Sequence, residues 1–207
     1  MMNDGYMSIL EKIGSESPTP GGGTVAALTL AHAHSLAAMV SRLTIGKEKW
    51  QEGHKISNLI INSSAESLEM SILLAENDSL AFDKVMASYR MPRNNDVEVE
   101  SRKLAILEST IGAAQTPSEI AQEGLKLLSL LPDLARFGNL NAITDLAASS
   151  ELAYTAVYIA SLNVKINVDS MSDKELDKIQ DDNTIVLTKS KELIMQIREI
   201  VSRRMEI

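Results

Sequence analysis

The 207-residue sequence has no cysteine. That excludes disulfides, thiolate zinc sites, iron–sulfur clusters and cysteine nucleophiles, and it fits a cytoplasmic protein. Aromatic residues make up only 3%, too few for a base-stacking surface. The formal net charge is −8. No broad basic face for nucleic acid or an acidic membrane is expected, although a local basic pocket for an anion remains open. Prolines occur only at 18, 20, 92, 117 and 132, and neither glycine nor proline follows Gly138. No run of alternating β-branched residues specifies a strand; residues 163–168 come nearest, and a helix end explains them as well. The first fifteen residues carry Asp4, no basic segment and no long apolar core, so no signal peptide is expected.

What the chain does have is 44% hydrophobic and 23% charged residues, ordinary globular proportions that exclude wholesale disorder. Its breaker-free stretches are rich in Ala, Leu, Glu and Lys, which favour helix. The reading is all-α: an up-and-down bundle of about seven helices in one domain over 1–207. The helices are expected at 2–13, 22–45, 48–89, 97–114, 117–137, 141–163 and 173–205. Thr116, Pro117 and Glu119 read as a capped helix start, Pro132 as a kink and Ser172 as the last cap. The last helix carries a heptad-like seam from Leu176 to Ile200, interrupted by Asn183 and Ser190, which suits an amphipathic helix laid on the bundle or a subunit contact. Residues 24–41 contain no Asp, Glu, Lys or Arg. Ala, Thr, His and Ser dominate that stretch, so a buried soluble helix is expected rather than a membrane span.

Four places could carry chemistry. Pro18 to Thr24 reads PTPGGGT: two prolines stiffen the approach and three glycines remove side chains where a helix begins. Free N–H groups and positive dipole there can receive a carbonyl or an anion; a tight turn is the alternative. No Lys-Ser/Thr pair follows and no strand precedes, so it is neither a P-loop nor a dinucleotide fingerprint. Asp145 lies among Ile143, Leu146, Ala147 and Ala148. Burial would raise its pKa and suit it to acid–base work, while a first-turn carboxylate favoured by the helix dipole is the bland alternative. Asn141 can cap that helix, which leaves Asn139 free to bind a ligand. Asp78, between Glu76 and Asp83, is either a solvated acid or a functional one. Arg42, Lys47 and Lys49 form a local basic group where cations also suit a helix end. His32, His34 and His54 lack metal-ligand spacing, and no metal is expected.

The run Pro18–Thr24, with Leu43-Thr44-Ile45-Gly46-Lys47, resembles the cyclodeaminase domain of formiminotransferase-cyclodeaminase. Further matches follow in order: Asp78-Ser-Leu-Ala-Phe82, Gly138-Asn-Leu-Asn141, Ala142-Ile-Thr-Asp145 and Asn163-Val-Lys-Ile-Asn167. Thr24 and Thr144 stand where the family often has serine, and both keep a hydroxyl. The resemblance implies an all-helical homodimer acting on a folate, with no cofactor beyond tetrahydrofolate as one-carbon carrier. It implies closure of 5-formiminotetrahydrofolate to 5,10-methenyltetrahydrofolate with loss of ammonia. Hydrolytic opening of the methenyl compound to 10-formyltetrahydrofolate is the alternative, and a non-catalytic folate binder is a third reading. Carried onto these residues, it makes Asp145 the first candidate proton donor and Asp78 the second, or a pterin ligand. Pro20, Gly21, Gly22, Gly23 and Thr24 would hold a polar edge of the folate. Asn139 and Asn141 would orient the pterin, and Arg42 and Lys47 would attract the glutamate tail.

Overall fold

The computed structural model describes residues 5–206, which are helical with no strand among them. The helices are α1 (Tyr6–Ile13), α2 (Gly22–Thr44), α3 (His54–Tyr89), α4 (Asp96–Phe137), α5 (Ile143–Val168) and α6 (Lys174–Met205). Short 3₁₀ turns at Glu48–Gly53 and Leu140–Ala142 lead into α3 and α5. Residues 2–4 of the first expected helix lie outside the described residues.

α2 and α5 are the central pair, as their small residues suggest. Ala26, Ala27, Ala33 and Ala37 of α2 and Ala153, Ala156 and Ala160 of α5 are fully buried. Without bulky side chains the two backbones approach closely, and Ser149 Oγ of α5 donates across to Ala33 O of α2 at 2.7 Å. The helices run antiparallel: Gly22 of α2 faces Asn163 near the end of α5, while Thr44 bonds Asn139 just before α5 begins. α2 is long and apolar enough to cross a membrane by length and composition, with a mean hydropathy of 1.3, but 61% of that window is buried inside the bundle. α3 and α4 pack beside this pair, and α6 lies across α4 and α5.

Three expectations are corrected. The helices expected at 97–114 and 117–137 are one continuous helix, α4, with Pro117 and Pro132 inside it. Thr116 is no cap, because its hydroxyl donates back to Gly112 O at 3.3 Å. Pro117 has no N–H for Ala113 O. Asn167 of α5 takes that carbonyl instead, Nδ2 donating at 2.7 Å, so a neighbouring helix answers the missing bond. At α6 the cap is Asp173, which accepts from Glu175 N at 2.8 Å, rather than Ser172. The buried stripe of α6 follows the expected seam at Leu176, Asn183, Val186, Ser190 and Ile197, but Ile194 and Val201 are buried where Leu193 and Ile200 were expected. A period nearer 3.6 than 3.5 keeps α6 on α4 and α5 as an amphipathic helix.

α1 has no buried residue. Its apolar face covers a cavity of about 350 Å³ lined mainly by Ile9, Leu10, Val25, Leu28, Leu68 and Ile72.

Candidate active site

Three of the motif segments meet at one end of the α2–α5 pair. Gly21, Gly22 and Gly23 at the start of α2, Asp78 and Phe82 of α3, and Asn163 and Asn167 of α5 line a cavity of about 290 Å³. Pro18 and Thr19 close its rim and Ala113 of α4 its wall. Pro20, the residue after a cis peptide bond, does not line it. The cavity under α1 is larger, and of its polar lining residues Tyr6, Thr29, His32 and Ser35, Tyr6 and His32 bond each other, His32 also bonds Leu28 O, and Ser35 donates to Ala31 O. It carries no acid.

Asp78 explains the glycine turn. The carboxylate sits at the N-terminus of α2, where orphan N–H groups and positive dipole favour an anion. Thr24 Oγ1 donates to Asp78 Oδ2 at 3.1 Å, and Thr24 lies 2.9 Å from Ser79 Oγ. That orders a chain in which Ser79 donates to Thr24 and Thr24 to Asp78. Gly23 is required because a Cβ there would run into Asp78 Oδ1. So the helix end expected to hold a ligand is occupied by the protein's own acid, and the ligand's place is the space beside it. Glu76 and Asp83 are exposed, while Asp78 is half-buried. Burial pushes its carboxyl above the ordinary 3.8, and the side-chain and backbone hydrogen bonds from Thr24 pull it partway back. A carboxyl held toward its protonated form beside a cavity can deliver a proton.

The other named residues lie elsewhere. Asp145 is half-buried in the first turn of α5. A helical rise of about 1.5 Å per residue sets it roughly 27 Å from Asn163, at the opposite end of α5. Within one chain it does not meet Asp78. Thr44, Arg42 and Lys47 share that far end, and Arg42 and Lys47 are exposed. Asn139 is not free for a ligand. Only 3% exposed, it accepts from Asn141 N at 3.0 Å as the cap of the 3₁₀ turn and donates through Nδ2 to Leu43 O at 2.8 Å. Asn141, expected to be the cap, is exposed. Arg204 also serves this end, donating to Ala135 O at 2.7 Å and Gly138 O at 3.1 Å. His34 lies outside the cavity, and its desolvation lowers its pKa to about 4. Among the described residues no three His, Asp or Glu cluster as a metal site.

Asn163 and Asn167 carried a motif match but no assigned role. The signal was available: two amides four residues apart share one helix face, and they close a helix almost empty of charge.

The site lies within a region of the chain that is similar to known proteins. The family model of formiminotransferase-cyclodeaminase matches residues 6–183. The methenyltetrahydrofolate cyclohydrolase of Methylorubrum extorquens is 33% identical over 173 residues, which cover 83% of each chain. The formimidoyltransferase-cyclodeaminase of Rattus norvegicus is 29% identical over 174 residues, and this chain spans 32% of its length. The crystal structure of formiminotetrahydrofolate cyclodeaminase from Thermotoga maritima matches with a TM-score of 0.78 at 25% identity, covering 95% of this chain and 93% of that one. The match of a family model over most of the chain places this protein in the formiminotransferase-cyclodeaminase family.

Proposed function

We propose that this protein is a folate one-carbon enzyme, a formiminotetrahydrofolate cyclodeaminase, with Asp78 as its proton carrier. The observation that supports this reading is a half-buried carboxyl, raised in pKa by burial, on the wall of a cavity of about 290 Å³. In the reaction N10 attacks the formimino carbon and the N10–C bond forms. The resulting tetrahedral carbon bears N5, N10 and the amino group. Asp78 gives its proton to the amino nitrogen, the C–N bond breaks and ammonia leaves. The carboxylate then takes the proton that N10 sheds. Starting from the neutral formimino group, one further proton comes from solvent, and the product is the methenyl cation. The exchange is redox-neutral and uses tetrahydrofolate as the carrier.

A second reading has its own support, since a relative of matching length is named a methenyltetrahydrofolate cyclohydrolase. There water adds to the methenyl carbon and sheds a proton to solvent. The N5–C bond breaks as N5 takes a proton from Asp78, the hydroxyl's remaining proton returns to the Asp78 carboxylate as the formyl C=O forms, and 10-formyltetrahydrofolate is released. Absorbance of the methenyl chromophore separates the two against enzyme-free blanks. Growth from 5-formiminotetrahydrofolate supports the cyclodeaminase. Accelerated decay of 5,10-methenyltetrahydrofolate, with no growth from the formimino compound, supports the cyclohydrolase. No difference from the blanks removes both.

The working unit in this reading is a homodimer. Exposed Tyr6, Leu10, Met39, Leu43, Leu68 and Ile72 on α1, α2 and α3 are the apolar surface that a second copy would cover. Asp145, Arg42 and Lys47 then act on the folate only if the partner carries them to the cavity. Sedimentation showing a monomer at micromolar concentration removes this part of the reading.

A further inference from the structure

Asn163 and Asn167 are fixed in orientation by groups that can only accept. Asn163 Nδ2 donates to Ile159 O at 2.9 Å. Asn167 Nδ2 donates to Ala113 O at 2.7 Å and to Asn163 O at 3.0 Å. A backbone carbonyl cannot donate, so in each amide the NH₂ must face the carbonyl and the Oδ1 must face away. Pro117 strengthens the constraint on Asn167, since it leaves Ala113 O without its helical partner. Both residues line the cavity, and among the described residues no protein group donates to either Oδ1. Asp78 is the third acceptor there, and no Lys, Arg or His is among the lining residues.

A wall with two fixed amide oxygens and a carboxyl, and without a cation, repels a carboxylate or phosphate. It suits the edge of a flat, neutral ligand that bears several N–H groups. A volume of about 290 Å³ is at the low end for ligand pockets, enough for a bicyclic head and short of a whole folate. We propose that Asn163 and Asn167 are specificity residues that accept hydrogen bonds from the amino-pyrimidine N–H edge of the reduced pterin. This rests on the folate reading above and deepens it: the pair sets which ring enters, and so which nitrogens face Asp78. The anionic glutamate tail is excluded from this cavity and lies outside it.

The test is equilibrium dialysis without oxygen, using 6-methyltetrahydropterin and its 2-oxo counterpart, 6-methyltetrahydrolumazine, which lacks the 2-amino group. The wild-type protein should bind the pterin at least tenfold more tightly, because a site built to accept from an N–H group rejects an analogue without it. Asn163→Leu should lose about tenfold in pterin affinity and most of the discrimination, while thermal unfolding stays within a few degrees. Asn163 bonds only within its own helix, so the fold does not depend on it; Asn163→Ala is the second variant should leucine overpack. Equal binding of both rings by the wild type, or unchanged discrimination in a folded Asn163 variant, overturns the proposal. Turnover with unchanged discrimination would leave the folate reading standing and remove this inference alone. Discrimination without turnover of either folate would do the reverse.

Discussion

The two ends of the α2–α5 pair are built from similar residue types and do opposite things. At one end a glycine turn meets a helix N-terminus, and polar groups are left facing a cavity. Asp78 and two asparagine oxygens remain available there. At the other end Asn139 also meets a helix start, but each of its polar groups is matched: its N–H to Thr44 Oγ1, its Nδ2 to Leu43 O and its Oδ1 to Asn141 N. A polar side chain whose partners are all backbone holds the fold together. One whose backbone bonds leave an acceptor free can hold something else. The residue type does not decide between these uses; the count of satisfied groups does.

Exchanging single residues tests that contrast. The largest effect is expected from Asp78→Asn, which keeps the shape and removes the proton. Turnover in the methenyl assay should fall roughly a hundred- to ten-thousand-fold. Stability should move the other way with pH. Because burial raises the carboxyl's pKa in the fold, ionising it costs more in the folded chain than in the unfolded one. Wild-type stability from this group is therefore full below about 3.8 and declines as pH rises through the raised value. Asp78→Asn should melt at or above the wild type at neutral pH, and that margin should shrink below pH 4.

Gly23→Ala should come next. The added methyl runs into Asp78, so the carboxyl must leave the Thr24 bonds. An activity loss of about tenfold or more is expected, with about 1–3 kcal/mol of destabilisation, read by turnover and by chemical unfolding of the same preparation. At the far end Asn139→Ala should invert the pattern. Losing the cap and stranding buried partners should cost about 2 kcal/mol, a drop in Tm of about 4–8 °C for a chain this size, with turnover per folded molecule within twofold. The smallest effect is expected from Asp145→Asn, less than threefold on kcat/KM, since its own chain holds it far from the cavity. A loss equal to that of Asp78→Asn would break the comparison and bring the far end into the site through a second subunit.

Much of the helical architecture was legible because helices are local. The Ala-rich stretches at 24–41, without a charge, and at 142–160, with only Asp145 and Glu151, became the central pair. The break expected at Pro117 was a misreading with a physical cause. Proline removes one bond from a helix interior, and a long helix tolerates that where a neighbour supplies the missing donor, as Asn167 does. Asp78 was legible as a candidate and Asp145 was ranked above it, because apolar neighbours in sequence suggested burial. On a helix, sequence neighbours point in different directions, and Asp145 lies in the first turn, half-open to solvent.

By itself the sequence determined the all-helical class, the two helices built of small residues, the absence of thiol chemistry and the family resemblance. Each of these depends on composition or on residues a few positions apart. Only the tertiary structure decided which motifs form the site. Gly23, Asp78 and Asn163 meet because antiparallel helices of fixed rise bring those positions to one end, and the same rise carries Asn139 and Asp145 to the other. Separation along a rigid helix is set by counting residues, but which ends coincide is set by packing between helices, and no local pattern in the chain records it.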